Sequence, residues 1–148
     1  MRGMPRRRIL LTTLALAPFF LAACSRPDPE RQIRAALGEM EAAIKARNNG
    51  DFMLHVADDF QRPGQGLDRA GLRQLFTGLV LRYPTIVLVV TVNEVRVTHP
   101  TATARLTVLA TGGQGVLPEA GQAWEVNTDW RLEGSQWKLF AADWRGQL

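Results

Sequence analysis

Apolar positions in the early part of the chain recur at helical spacing. In "DPERQIRAALGEMEAAIKARNNG", Ile33, Leu37, Met40 and Ile44 fall four, three and four residues apart, which is one face of a helix. Asp28 is placed to cap it, Pro29 suits its first turn, and Glu30 complements the positive end of its dipole. Asn48-Asn49-Gly50 ends it. Asp51 opens a second, shorter helix, "DFMLHVADDF", with Phe52, Val56 and Phe60 (or Leu54) inward. "RPGQG" is a turn-rich link. Asp68 then caps a third helix with Leu72, Leu75, Phe76 and Leu79 on one side, stopping before Pro84.

After Pro84 the period changes to two. "TIVLVVTVNEVRVTH" is rich in β-branched residues, and its alternation slips near Asn93-Glu94, where a bulge fits. His99-Pro100 turns the chain into "TATARLTVLAT", with Ala102, Ala104, Leu106, Val108 and Ala110 on one face. In "QAWEVNTDWRLE", Trp124, Val126, Thr128, Trp130 and Leu132 alternate with Glu125, Asn127, Asp129, Arg131 and Glu133. Gly134-Ser135 makes the last turn and "QWKLFAADWR" returns. A turn there sets Leu132 opposite Trp137, Trp130 opposite Leu139, Thr128 opposite Ala141 and Val126 opposite Asp143.

Helices grouped before antiparallel strands predict an α+β domain, with three N-terminal helices packed on one face of a curved sheet. Three helices, a long strand and three more strands closing on a Trp-rich hairpin resemble the NTF2-like superfamily, a cystatin-like α+β cone. That superfamily includes SnoaL-like and ketosteroid-isomerase-like domains. The resemblance covers residues 28 to 145 and rests on element order and on "GDFMLHVADDF" before a Gly-rich loop. It implies a pocket between sheet and helices, and pairing of two copies through the sheet. Another helix-on-sheet α+β domain with the same element order is the alternative.

The amino terminus reads differently. Arg2, Arg6, Arg7 and Arg8 precede an apolar run from Ile9 to Ala23, too short to span a bilayer as a permanent helix. Leu21-Ala22-Ala23-Cys24 resembles the lipobox of bacterial lipoproteins. That resemblance implies a thioether-linked diacylglyceryl group on Cys24, cleavage just before it, and acylation of the new amino terminus. Several acyl chains hold a protein firmly where one does not. The bland alternative is an ordinary signal with an incidental cysteine, or a short helical anchor. Ser25, where an inner-membrane lipoprotein of this kind carries aspartate, implies the periplasmic face of a Gram-negative outer membrane. The expected organisation is a cleaved signal at 1–23, a tether at 24–29, and one domain at 30–148.

Processing changes the charge. The chain has 18 Lys and Arg against 14 Asp and Glu, and four of the arginines lie in the signal. The mature part is therefore formally neutral. This removes the support that a basic precursor would lend to nucleic-acid or anionic-lipid binding, which needs cations gathered on one surface. Cys24 is the sole cysteine, so no disulfide is available and stability must come from an apolar core.

Candidate chemistry is sparse. The register above places Asp143 among the tryptophans, where an acid is either a base with a raised pKa or a sheet-end carboxylate paired with arginine. Tyr83 is a pocket hydroxyl or a helix-end packing residue. His55 precedes Asp59 by four on the second helix, with Asp58 adjacent, a spacing that orients an imidazole or supplies two metal ligands. No third ligand is identifiable, since His99 lies in a turn, so neither a metal nor any other cofactor is expected. Trp124, Trp130 and Trp137 are candidate pocket walls or core. The opposite face, with Glu125, Asn127, Asp129, Arg131 and Lys138, is a solvated charged face, or a partner surface to which Phe140 and Trp144 add apolar anchors.

No nucleophile motif or phosphate loop appears. The favoured reading is a lipid-anchored, non-catalytic domain binding an envelope protein or a small apolar ligand. An enzyme using Asp143 with Tyr83 or His55, and a structural envelope protein, are the alternatives.

Overall fold

The computed structural model describes residues 27–113 and 121–147. Its elements run α1 (Pro29–Lys45), α2 (Asn49–Met53), β1 (Val56–Arg62), β2 (Leu67–Asp68), α3 (Arg69–Arg82), β3 (Thr85–Thr98), β4 (Thr101–Gly113), β5 (Gln122–Glu133) and β6 (Gln136–Gln147). The expected signal and residues 24–26 of the expected tether, Cys24 and Ser25 among them, lie outside the described residues, as does most of "TGGQGVLPEAGQ".

α1 forms as its sequence dictates. The Asp28 carboxylate accepts the Glu30 N–H at 3.1 Å, and Glu30–Arg34 and Glu41–Lys45 pair one turn apart on the exposed side. Ile33, Leu37 and Met40 are buried and Ile44 is half-buried, packing chiefly toward β3. Past Lys45 the chain breaks at Arg47, whose φ of 58° lies in the left-handed region that favours glycine. Its guanidinium donates to the Val80 and Pro84 carbonyls at 2.7 and 2.5 Å. Those two bonds lash the end of α1 to the end of α3 and compensate the backbone cost.

The second helix is the first correction. It covers only Asn49–Met53, capped by Asn48, and the chain is in β1 by Val56. Phe52, Val56 and Phe60 are four residues apart, a multiple of two as well as nearly one helical turn. The same spacing that suggests a helix face also fits one face of a strand. Val56 and Phe60 are indeed inward, at 3% and 0% exposure, but from a strand. The helices therefore do not precede all the strands.

Six strands, rather than the four expected, form one curved sheet in the order β2-β1-β6-β5-β4-β3. β1 runs parallel to β6, so the sheet is mixed rather than wholly antiparallel. The β3–β4 ladder shifts register between Val92 and Glu94, where the alternation slips in the sequence. A second shift, between Asp129 and Trp130 in the β5–β6 ladder, was not anticipated. Leu132 faces Trp137 and Trp130 faces Leu139 as expected, but Phe140 is then an extra residue. Beyond it Thr128 faces Ala142, not Ala141, and Val126 faces Trp144, not Asp143. Because strand side chains alternate, one inserted residue turns every later side chain to the other face.

The helix side of the sheet holds the core. Ile33, Met40, Phe60, Ala102, Ala104, Leu106, Trp130, Trp137 and Leu139 are all below 8% exposure. Leu72 and Phe76 of α3 join the buried set, whereas Leu75 and Leu79, expected beside them, are 43% and 46% exposed. Thr128 is the one buried polar residue among those described. Its hydroxyl accepts the Trp130 indole N–H at 2.9 Å and donates to the Ala104 carbonyl at 2.9 Å. The relay satisfies the indole where water cannot reach. Thr128→Val keeps the shape and strands the N–H, so urea unfolding is expected to show a loss of about 1–3 kcal/mol. An unchanged midpoint would contradict the relay's role.

Candidate functional site

Burial along the inner face of the sheet is uneven. At the end formed by the β5–β6 turn, Trp130 and Trp137 are 0% and 4% exposed, and the Trp137 indole donates to Gln32 of α1 at 3.1 Å. Toward the other end, Val90, Val108, Trp124, Val126 and Trp144 are only half-buried. Register makes them neighbours: Val90 faces Val108, Val108 faces Trp124, and Val126 faces Trp144. Trp124 lies across from Gly146, with its indole edge over that glycine. Along β4, β5 and β6 the inner face thus passes from a closed end to a more open apolar one, while on β3 Leu88, beyond Val90, is buried at 6% exposure. Of the tryptophans expected to line a pocket, Trp130 and Trp137 belong to the closed core and Trp124 to the open end.

The extra residue in β6 decides what polar group meets that open end. Asp143, expected there, faces Asn127 on the outer side, and Trp144, expected outside, takes the inner position. Arg62, at the end of β1, is the cation of this region. Its guanidinium lies 3.9 Å from the centre of the Trp144 ring, donates to the Trp144 carbonyl at 2.8 Å and meets Asp143 at 3.3 Å. A desolvated cation over an indole face is worth about 1–2 kcal/mol. Sequence reasoning missed Arg62 because its segment was read as the link after a helix. Its lone visible signal was a position just before Pro63, at the turn.

His55 and Asp59 do not share a helix. The His55 imidazole is 3.0 Å from Glu39 of α1, while Asp59 pairs in a bidentate manner with Arg131 of β5 at 2.7 and 3.1 Å. That ion pair crosses the outer side of β6, where Arg131 also lies 5.3 Å from the Phe140 ring. The Arg131 hydrogen bond holds the Asp59 carboxyl below its ordinary pKa. Tyr83 ends α3, its N–H bonded to the Leu79 carbonyl and its ring beside the Arg82 guanidinium. Asp143, His55 and Tyr83 thus have three separate sets of partners. Among the described residues no three of His, Cys, Asp and Glu gather as a metal site would require.

Two polar depressions lie outside the core. One, about 560 Å³, is lined by Asp58, Gln61, Arg69 and Arg73 between β1 and α3. The other, about 280 Å³, lies on the outer side of the sheet among Glu94, Arg96, Arg105, Asn127 and Asp129. Glu94 there pairs with both arginines, at 2.8 and 3.4 Å. Burial raises the Asp129 carboxyl above its ordinary pKa.

With this geometry in hand, comparison with solved structures places the fold. A protein of unknown function with a cystatin-like fold from Nostoc punctiforme superposes with a TM-score of 0.66 at 12% identity, over 80% of this chain and 90% of that one. A dehydratase candidate of the NTF2-like family from Streptomyces avermitilis gives 0.67 at 18% identity, over 80% and 95%. Bd1075 of Bdellovibrio bacteriovorus gives 0.69 at 8% identity over 79% of this chain, which spans 41% of that protein's length. The fold is the NTF2-like, cystatin-like α+β fold. No protein-family model and no curated protein matches the sequence.

Burial holds the His55 imidazole below its ordinary pKa of 6.5, outweighing the opposing pull of Glu39. The unfolded chain then takes up the proton at higher pH than the folded one, so acid favours unfolding. The stabilisation is complete above 6.5 and lost as pH falls through the folded-state value. Thermal melts between pH 7.5 and 5 are expected to show a falling midpoint, with the slope reduced in His55→Gln. A wild-type midpoint that is flat or rises on acidification would reverse the assignment.

Proposed function

We propose that the mature chain is a lipid-anchored domain facing the periplasm, held by acylated Cys24, and that it binds a small, largely apolar ligand without catalysis. The observation that carries the binding reading is the half-buried apolar end of the inner face, formed by Val90, Val108, Trp124, Val126 and Trp144. Apolar surface of this kind gains most from occupation by an apolar ligand, and Arg62 over Trp144 adds one polar edge. An acid–base enzyme needs its titratable groups on one cavity. Asp143, on the outer side, Tyr83, at the end of α3, and His55, against α1, do not supply that arrangement. The dehydratase candidate shares the fold at 18% identity, which carries no residue roles with it.

A second reading, pairing of two copies through the outer side of the sheet, has its own observation. Val87, Val89 and Leu109 are 51–52% exposed there, with Val89 opposite Leu109. Apolar side chains in a contiguous exposed group favour a protein contact.

Two experiments test the proposal. Palmitate labelling is expected to mark the parent and not Cys24→Ser; an unlabelled parent removes the anchor. Titration with the fluorescent probe N-phenyl-1-naphthylamine is expected to show binding that weakens about tenfold in Val126→Ser and in Trp144→Ala. Tyr83→Phe is expected to leave it unchanged. Equal affinity in all four proteins would place the binding elsewhere.

A further inference from the structure

The two edges of the sheet are unlike. β2 is only Leu67–Asp68, its second residue the charged cap of α3, and it offers a further strand almost nothing to pair with. β3, at the other edge, has 14 residues and pairs on one side only, with β4. The backbone N–H and C=O groups of its alternate residues therefore point away from the ladder. Among the described residues no backbone–backbone bond outside that ladder reaches β3.

Natural edges are blunted by charge, proline, a bulge or brevity. β3 has such devices only in its second half, where the register shift between Val92 and Glu94 is followed by Arg96. From Thr85 to Val92 it reads "TIVLVVTV", with no charge, glycine or proline, and every residue but Leu88 is β-branched. Val87 and Val89 are 52% and 51% exposed on the outer side, while Ile86, Leu88 and Val90 face inward. An open, uncharged stretch of this composition is a template for another strand. We propose that it pairs with the same stretch of a second copy, antiparallel and centred on Leu88, so that two sheets become one across a two-fold axis.

Self-complementarity argues for a second copy as occupant. Pro84 and the irregularity beyond Val92 bound the regular stretch, and Leu88 is midway between those limits. Residues directly opposite in an antiparallel pair project to the same side, so a strand meets its own copy about a residue and not about a peptide bond. Centred on Leu88, Val87 faces the partner's Val89, Ile86 faces the partner's Val90, and Thr85 faces the partner's Thr91. Branched side chains then meet branched side chains on both sides of the sheet, and no like charges are opposed. An unrelated peptide would have to supply that pattern; a second copy has it by identity. The contact is also closed, because β2 at the far edge is too short to accept a third copy. Edge pairing shares with contact through the outer side only the premise that two copies meet. The outer-side contact would also use Leu109 of β4.

The test uses the full chain in mild detergent, with its oligomeric state read by sedimentation. The expected state is a dimer. Val87→Lys with Val89→Lys is expected to give a monomer with unchanged circular dichroism, whereas Leu109→Lys stays dimeric. Val87→Cys protein is also mixed with Val89→Cys protein and oxidised with copper–phenanthroline, and the linked peptides are read by mass spectrometry. Opposite residues place their Cβ atoms about 4.5–5.5 Å apart, so the mixed 87–89 disulfide is expected several-fold in excess of either same-site disulfide. The parent, oxidised alike, accounts for any link through Cys24. A monomeric parent overturns the proposal, and so does a dimer that survives both lysines. A dimer that Leu109→Lys dissolves, or same-site disulfides as abundant as the mixed one, would mean contact through the outer side and overturns it equally.

Discussion

Strand side chains alternate between two sides, so the interior of this domain depends on where the alternation is interrupted. β6 carries Phe140 as an extra residue against β5, and the side chains beyond it change sides. Without that insertion the register would bring Asp143 into the apolar interior and leave Trp144 in water. With it, Trp144 backs Val126, and Asp143 stays where Arg62 and Arg145 reach it. Burying an unpaired carboxylate costs several kcal/mol, whereas moving an indole inward is favourable by about 2–3 kcal/mol. The bulge therefore settles the stability of the sheet's last strand and the chemistry available at the open end in one step.

Long-range ties hold the remaining layers to that sheet. β1 reaches β6 in parallel, and Asp59 extends the connection to Arg131 two strands away. The end of α1 is fastened to α3 through Arg47, and its amino-terminal half to β6 through Gln32 and Trp137. Lys138 donates to the Leu54 carbonyl and closes the α2–β1 corner against the same strand. β6 is consequently the hub: it pairs with β1 and β5, carries the bulge, and meets both helical ends of the corner.

Much of this architecture was legible in the chain because local chemistry determined it. The caps at Asp28 and Asp68, the α1 stripe, the stop before Pro84, the alternation of β4 and β5 and the irregularity at Asn93 all depend on residues within a few positions of one another. The α+β class followed from them. What escaped depends on partners far along the sequence. β1 exists as a strand because β6, some eighty residues later, is beside it, and its spacing of four suits either period. The bulge at Phe140 has no glycine or other local marker. Asp143 was therefore assigned to the wrong side, and Arg62 was not considered, for one reason: both positions are set by a tertiary register. Leu75 and Leu79 escaped similarly, since a helical stripe shows what a helix can bury and not whether anything covers it.

The same distinction separates total charge from its placement. Residues 24–148 carry 14 cationic and 14 acidic side chains, and that balance is reached largely by pairing. Glu94 holds Arg96 and Arg105, Asp59 holds Arg131, Asp143 holds Arg62, and Glu30 and Glu41 hold their α1 neighbours. Acids distributed in this way cancel cations locally on α1 and across the sheet. α3 contains no acid of its own, but Asp58 and its N-cap Asp68 share a depression with Arg69 and Arg73, and it is also the helix with the most exposed leucine. The paired arginines Arg69 and Arg73 and the exposed leucines occupy different sides of that helix, so there too the cations are met by acids and the apolar surface stands apart from them.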